Sequence, residues 1–414
     1  MNCPTCGAQL PVDPRYVTWC DSCGWNLHGT SATETPTTPL DRIAESVGRR
    51  LGDRMAERLA ESAQLTPKLT PAKFAAYAIA LAVHAFVLVL VVGGLWLLVG
   101  DTGLFVKIAG VLLLGLAFLM RPRLGKRVRE GIVRREEAPT LYALADDVAA
   151  ALGTRRVDVI AITSEYNASW SVNGFRRERT LTLGLPLLAV LDPDEQIALI
   201  GHELAHARNG DVTRGLVVSS AVESLAELYE TMQFDAEDSD LDFAELVVRP
   251  IMWLLAQPFR LLLLLELHLL LQDRRRAEYL ADRLAATVAG AQAEIRSQEK
   301  TLLAQTVESA LHRYAVRRDA SDGDVFDAMR EAIADVPERE RERRHRIARL
   351  EGTRLGATHP PTAKRIELLE RLPAATPLVA ADPERAATAL AEVAGLRKRL
   401  SRQLVEEYRM AVAG

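Results

Sequence analysis

The sequence predicts a mainly helical α+β chain in which a small sheet accompanies a metal-binding helix, preceded by a transmembrane helical hairpin and an N-terminal zinc ribbon. Three observations predict it. All four cysteines lie within the first 23 residues, in two C-x-x-C pairs. Two long apolar runs follow between Phe74 and Met120. Further on, Gly201-His202-Glu203-Leu204-Ala205-His206 sets two histidines four residues apart in an apolar-periodic segment.

Residues 1–28 form the ribbon. Cys3-Pro4-Thr5-Cys6 and Cys20-Asp21-Ser22-Cys23 are separated by thirteen residues, and four thiolates at that spacing close a tetrahedral structural zinc site. So small a unit folds with its metal. Two redox C-x-x-C pairs would need a thioredoxin-like βαβ context, which the flanking sequence lacks. Nothing basic or aromatic is concentrated here and the net charge is −4, so nucleic acid is not an expected partner. The body keeps no cysteine for disulfides, which fits a reducing compartment.

Residues 29–71 read as a linker, Thr30 to Leu40, and a charged surface helix, Asp41 to Ala63. Residues 72–120 are the hairpin. Phe74 to Val99 carries no Asp, Glu, Lys or Arg and exceeds the about 20 residues that span a bilayer. Leu104 to Met120 is apolar apart from Lys107, which lies near the end and can snorkel to the interface. Arginines and lysines crowd the exit from Arg121 to Arg135 and precede the entry from Arg49 to Lys73. The positive-inside rule therefore puts both ends, and with them the ribbon, in the cytoplasm of a multi-pass protein of the cell membrane. No signal-peptide pattern opens the chain.

Residues 136–375 carry the chemistry. Ala138 to Leu152 is an amphipathic helix stopped by Gly153; Val157–Thr163 and Arg179–Leu183 are strands, with Asn173-Gly174 as the turn before the second. Asp192-Pro193-Asp194-Glu195 supplies an acidic N-cap, a proline at the first helical position and a capping-box Glu. Asn209-Gly210 is a left-handed stop. On the helix between them His202 and His206 share one face and converge on one ion. Zinc suits neutral imidazole, and Glu203, beside the first ligand, reaches a zinc-bound water as general base. The competing reading is a helix whose histidines fall four apart by chance.

Asp235 to Glu245 is a solvated acidic loop. Leu246 to Leu271 is leucine-rich but holds Arg249, Pro250, Pro258, Arg260, Glu266 and His268. Two crossings need roughly forty apolar residues, too many for this stretch, and one crossing would part the ligands. A bent helix or pair is expected here, lying at the membrane interface or against the catalytic domain. Directly after it, Glu278 and Asp282 share a helical face. Glu278 can complete a His-His-Glu site and Asp282 can accept a hydrogen bond from a ligand imidazole. Glu338 to Arg349, His345 included, reads as a solvated face, and residues 376–414 as a C-terminal helical segment. His359, just before Pro360-Pro361 and a helix from Arg365 to Leu372, caps that helix on the simplest reading.

His202-Glu203-Leu204-Ala205-His206 with Asp211, then Glu278-Tyr279-Leu280-Ala281-Asp282, then Thr358-His359-Pro360-Pro361 with Arg365-Ile366, resembles the HtpX and CaaX prenyl endopeptidase family of membrane zinc metallopeptidases. The likeness runs from about Pro139 to Leu372, and Asn167-Ala168 resembles that family's upstream Asn-Ala element. It implies a gluzincin fold whose sheet edge holds an extended substrate. It also implies zinc ligands at His202, His206 and Glu278, a general base at Glu203, and oxyanion contacts from His359 and Asn167. In place of the two spans usual between active helix and third ligand, this chain has one leucine-rich stretch. Ala277 stands where a polar residue is common, and the ribbon lies outside the family pattern.

The expected activity is therefore zinc-dependent hydrolysis of peptide bonds in membrane or membrane-associated proteins, on the cytoplasmic side, in quality control or processing. Two zinc ions are expected, one catalytic and one structural. Protein or peptide substrates and the bilayer are the expected partners. The main rival is a catalytically inactive membrane scaffold whose ribbon recruits protein partners. A membrane-tethered nucleic-acid binder would need a basic, aromatic ribbon, and a prenyl-protein endopeptidase a larger membrane chamber.

Overall fold

The computed structural model describes residues 1–28, 71–100, 103–122, 128–174, 176–208, 211–232, 249–317, 324–350 and 360–413. The linker and surface helix of residues 30–63, the Asn209-Gly210 stop, the acidic loop and His359 lie outside the described residues.

The ribbon is built from two equivalent knuckles. In each, the N–H of the glycine after the second cysteine donates to the carbonyl of the first, Gly7 to Cys3 and Gly24 to Cys20, both at 2.9 Å. The hairpin is α1 (Pro71–Val99) and α2 (Leu104–Leu119). Their backbones touch where a Cβ on Gly94 would meet the Gly110 carbonyl oxygen at 2.9 Å. Phe86, Leu88, Val92, Trp96, Phe105 and Leu112 are exposed on its outer side.

The sheet contains β1 (Ile132–Val133), β2 (Val159–Thr163), β3 (Ala168–Asn173) and β4 (Glu178–Gly184) in the order β1-β2-β4-β3. Only the β2–β4 pairing is parallel. The Asn173-Gly174 corner closes a hairpin whose first strand, β3, the sequence reading missed; Gly174 takes φ +68°. Its residues, Ala-Ser-Trp-Ser-Val-Asn, mix small, polar and aromatic types, so no clean alternation marks them. Between β1 and β2 lies α3 (Pro139–Leu152), stopped by Gly153. Tyr142 Oη of α3 donates to Val133 O at 2.9 Å and accepts from Ile160 N at 2.8 Å, pinning helix to sheet. After β4 come α4 (Leu185–Val190), wholly buried, and α5 (Pro193–Arg208).

Of the two expectations for the leucine-rich stretch, a bent helix or a pair, the pair is corrected. Arg249 to Ala289 forms one helix, α7, with Pro258 inside it, long and apolar enough to cross a membrane, as α1 is. Helix α6 (Asp211–Met232) packs along α1 and α7 through Val218, Ala221, Leu225 and Leu228. Its polarity disguised it. Ser224 Oγ donates to Ser220 O at 2.7 Å and Ser220 Oγ to Val217 O at 3.1 Å, so these hydroxyls are satisfied within the helix. An ion pair between Lys73 and Asp273 joins the start of α1 to α7 just past its leucines.

The rest is helical: α8 (Ala291–Thr301), α9 (Ala304–Val316), α10 (Val325–Ala334), α11 (Glu338–Leu350), α12 (Thr362–Glu370), α13 (Pro383–Glu392) and α14 (Ala394–Ala413). The solvated face expected of α11 is also corrected: Glu340 and Arg343 are each 3% exposed. The C-terminal helices put Val393, Leu400 and Val405 into the same core as the sheet. Glu392 caps α3 by accepting from Thr140 N at 2.9 Å.

Candidate metal centre

Helix α5 begins as a capping box, with Asp192 N donating to Glu195 Oε2 at 2.8 Å. Glu195 is fully buried and is held by Lys300 at 2.6 Å and Arg296 at 3.1 Å, both from α8. This anchors the start of the helix, so its histidines are presented by a fixed rod. The rod packs directly on α7. A Cβ on Gly201 would sit 3.4 Å from Ala285 Cα, and Ala198, Ala205, Ala281 and Ala285 are all 0% exposed. Small residues on both helices let the backbones approach until side chains from each can share one ion.

His202 Nε2 stands 3.6 Å from Glu278 Oε2, and His206 Nε2 3.6 Å from Glu278 Oε1. A tetrahedral ion with bonds of about 2.0–2.1 Å separates its ligands by roughly 3.3–3.5 Å; this donor set fits zinc in type, with one ligand atom from each residue within 4.8 Å of the others. Glu203, 9% exposed, is next to His202 on the same buried turn.

Behind His202 stands a polar network. His202 Nδ1–H donates to Asp282 Oδ1 at 3.0 Å, which fixes the tautomer that turns Nε2 towards Glu278. Arg365 of α12 grips Asp282 with two hydrogen bonds, Nε to Oδ2 at 2.9 Å and Nη2 to Oδ1 at 2.5 Å. Gln298 of α8 donates to both Asp282, at 3.0 Å, and Glu294, at 2.8 Å. Burial pushes Asp282 up, but the Arg365 guanidinium outweighs it and holds the carboxyl below its ordinary range. Burial raises Glu294 to about 8, so it stays protonated at neutral pH. Burial also opposes charge on His202, yet hydrogen bonds to Asp282 and Glu278 hold its pKa well above the ordinary value.

Sequence reasoning named the residues that meet here except Glu294 and Gln298, and it gave Arg365 no role. Glu294 and Gln298 lie four apart in Ala-Gln-Ala-Glu-Ile-Arg-Ser-Gln, which looks like an exposed helix and gives no signal. Arg365 was visible only within its motif. Asn167 is exposed at the start of β3, where its carbonyl accepts from Gly184 N at 2.8 Å.

The four cysteines form a second cluster, with every Sγ within 4.8 Å of the others. The Cys3–Cys23 and Cys6–Cys20 pairs are 3.6 Å apart, close to the roughly 3.8 Å expected around a tetrahedral zinc with bonds of about 2.3 Å. Burial raises the Cys3 thiol, but the backbone N–H groups of Cys6 and Thr5 outweigh it and bring it down to about 6. At Cys23 a backbone N–H lowers the thiol, while burial and the neighbouring thiols push it up to about 12. Without a cation, one thiolate forms at the expense of another.

The model of Peptidase family M48 matches residues 136–372. Over 251 residues the chain is 25% identical to a Protease HtpX homolog of Thermococcus sibiricus, covering 59% of this chain and 77% of that one. A Protease HtpX homolog of Pyrococcus furiosus is 25% identical over 245 residues, covering 58% and 76%. One from Thermococcus kodakarensis reaches 32% over 97 residues, covering 23% and 33%. The matched region contains both α5 and the Glu278–Asp282 face of α7, and the chain belongs to the metallopeptidases of family M48.

Proposed function

We propose that this chain is a membrane-bound zinc endopeptidase that hydrolyses peptide bonds of membrane or membrane-associated proteins on the cytoplasmic side, in quality control or processing. The observation that carries the reading is the meeting of His202, His206 and Glu278 at 3.6 Å, with Asp282 fixing the ring of His202. His202, His206 and Glu278 would hold the catalytic ion, and Cys3, Cys6, Cys20 and Cys23 a structural one. A bound zinc supplies a Lewis acid that polarises the scissile carbonyl and acidifies a water. Glu203 takes the proton of the attacking water and returns it to the leaving amine. Asn167 and His359 donate to the developing oxyanion. Strand β3 is an edge strand of the sheet, the position at which an extended peptide would pair.

A membrane topology is part of the same proposal. With α1, α2, α6 and the first part of α7 as the membrane bundle, α6 leaves the active side and α7 returns to it. The Lys73–Asp273 pair sets the start of α1 level with that return. The basic flanks of the hairpin then put both ribbon and catalytic domain in the cytoplasm.

Metal analysis tests the reading. Two zinc per chain are expected, falling to one in a His202→Ala, His206→Ala variant and to one in a Cys3→Ser, Cys6→Ser variant. Unchanged content in the histidine variant would remove the catalytic site. A pH series adds a second check. A ligand imidazole must be neutral, so zinc uptake displaces the proton that Asp282 and Glu278 favour on His202. Affinity is expected to fall about tenfold per unit as pH drops below the raised His202 pKa. Without metal the sign reverses: stability from protonated His202 is full below its unfolded value and is lost as pH rises through the folded one. Competition with a chromophoric chelator measures the first trend, and a flat profile would contradict it.

A further inference from the structure

The ribbon does not stand apart from the catalytic domain. It is seated on α11, whose Arg339, Arg343 and Arg346 fall at i, i+4 and i+7 and present one face to it. Each donates to a backbone carbonyl in or beside the second knuckle: Arg339 to Trp19 O, Arg346 to Asp21 O at 2.5 Å, and Arg343 to Leu27 O at 2.7 Å. Arg339 also reaches the Asp21 carboxylate at 3.4 Å. The guanidinium groups of Arg339 and Arg346 lie 4.9 and 5.0 Å from the centroid of the Trp19 ring. Glu340 fixes Arg343 from behind with hydrogen bonds of 2.6 and 2.7 Å. Trp19 is only 1% exposed, yet the ribbon's own buried cluster is Cys3, Leu10 and Cys20. The indole is an anchor covered by the domain rather than a residue of the ribbon's core.

These three arginines read carbonyl positions, so they read the shape of the knuckle and not its side chains. That shape depends on the cysteines. Cys20 N donates to Trp25 O and Cys20 O accepts from Gly24 N, both at 2.9 Å, which curls the chain around the Cys20–Cys23 pair. So small a unit keeps this curl only with four thiolates gathered on a cation. We infer that the seat is metal-gated: loading the four cysteines with zinc locks residues 1–28 onto α11, and unloading releases them. Helix α11 packs on α12, whose Arg365 grips Asp282, so the gated contact lies one helix away from the catalytic cluster.

The inference rests on the ribbon half of the reading above, and its test separates the two. Full-length protein in detergent micelles is followed by hydrogen exchange over residues 1–28 and 338–350, with zinc content measured on the same samples. In Cys3→Ser, Cys6→Ser, one zinc is lost and exchange rises in both segments, by at least about tenfold in α11. In Arg339→Ala, Arg346→Ala the zinc content stays that of the unsubstituted chain. The ribbon's own amides stay protected, and α11 alone exchanges at least about tenfold faster. Arg343 is left in place because its loss would remove one of the two arginines that hold the buried Glu340. Unchanged exchange in α11 in either variant overturns the inference. A zinc content that does not respond to the cysteine substitutions overturns metal binding by the ribbon itself.

Discussion

Glu203→Gln is expected to lower cleavage of casein or a membrane-protein substrate by about 10²- to 10⁴-fold, while the chain keeps its full zinc content. Glutamine has the size of glutamate and cannot take a proton, so the substitution removes one chemical step and little else. The metal cluster should not notice. Its proposed donors are two imidazoles and the carboxylate of Glu278, and Asp282 holds Nδ1 of His202 from the far side. Glu203 is 9% exposed beside His202 at 8%, so the exchanged side chain occupies the same buried turn. Zinc analysis and a cleavage assay on the same preparation separate loss of chemistry from loss of metal. Cleavage at the unsubstituted rate would show that another group accepts the proton.

How far the sequence disclosed the molecule can be judged residue by residue. The α5 helix was legible from both its chemistry and its start signal. Asp192 and Glu195 announced a capping box that is present, and the four-residue spacing of His202 and His206 needs only helical geometry. Glu278 and Asp282 were legible for the same reason, because a shared face is a property of one helix. What spacing cannot give is the approach of two helices. That depends on Gly201, Ala281 and Ala285, small residues with no chemical signature. Helix α6 was illegible because Ser220 and Ser224 satisfy their hydroxyls on their own backbone, so a helix that packs among leucines carries a polar sequence. Helix α11 misled in the opposite direction. Its run of Glu and Arg has the composition of a solvated surface, but Glu340 and Arg343 neutralise each other and are buried against the ribbon. Charge in a sequence marks solvent only when the partner charges are not already supplied by the fold.

Arg365→Met is expected to destabilise the catalytic domain by about 3–5 kcal/mol. Arg365 is the cation in a buried pocket that holds Asp282, Glu278 and Glu294, which are 2%, 6% and 2% exposed. Its guanidinium makes two hydrogen bonds to Asp282 and stands 3.8 Å from Glu278 Oε2. Methionine fills a similar volume but strips the Asp282 carboxylate of its guanidinium partner, leaving it buried against His202 and Gln298 alone. The sign against pH follows from Asp282, whose pKa is depressed in the folded state despite burial. Its contribution is present above the unfolded value of about 3.9 and is lost as pH falls through the folded one. The unsubstituted chain should therefore hold the larger part of its advantage over Arg365→Met near neutral pH and lose it in acid. Denaturant unfolding of the detergent-solubilised proteins at pH 7 and pH 2 measures both. Adding Asp282→Asn should recover part of the loss, because the stranded charge is gone. If Arg365→Met unfolds within about 1 kcal/mol of the unsubstituted chain, the guanidinium is not what keeps Asp282 charged behind His202.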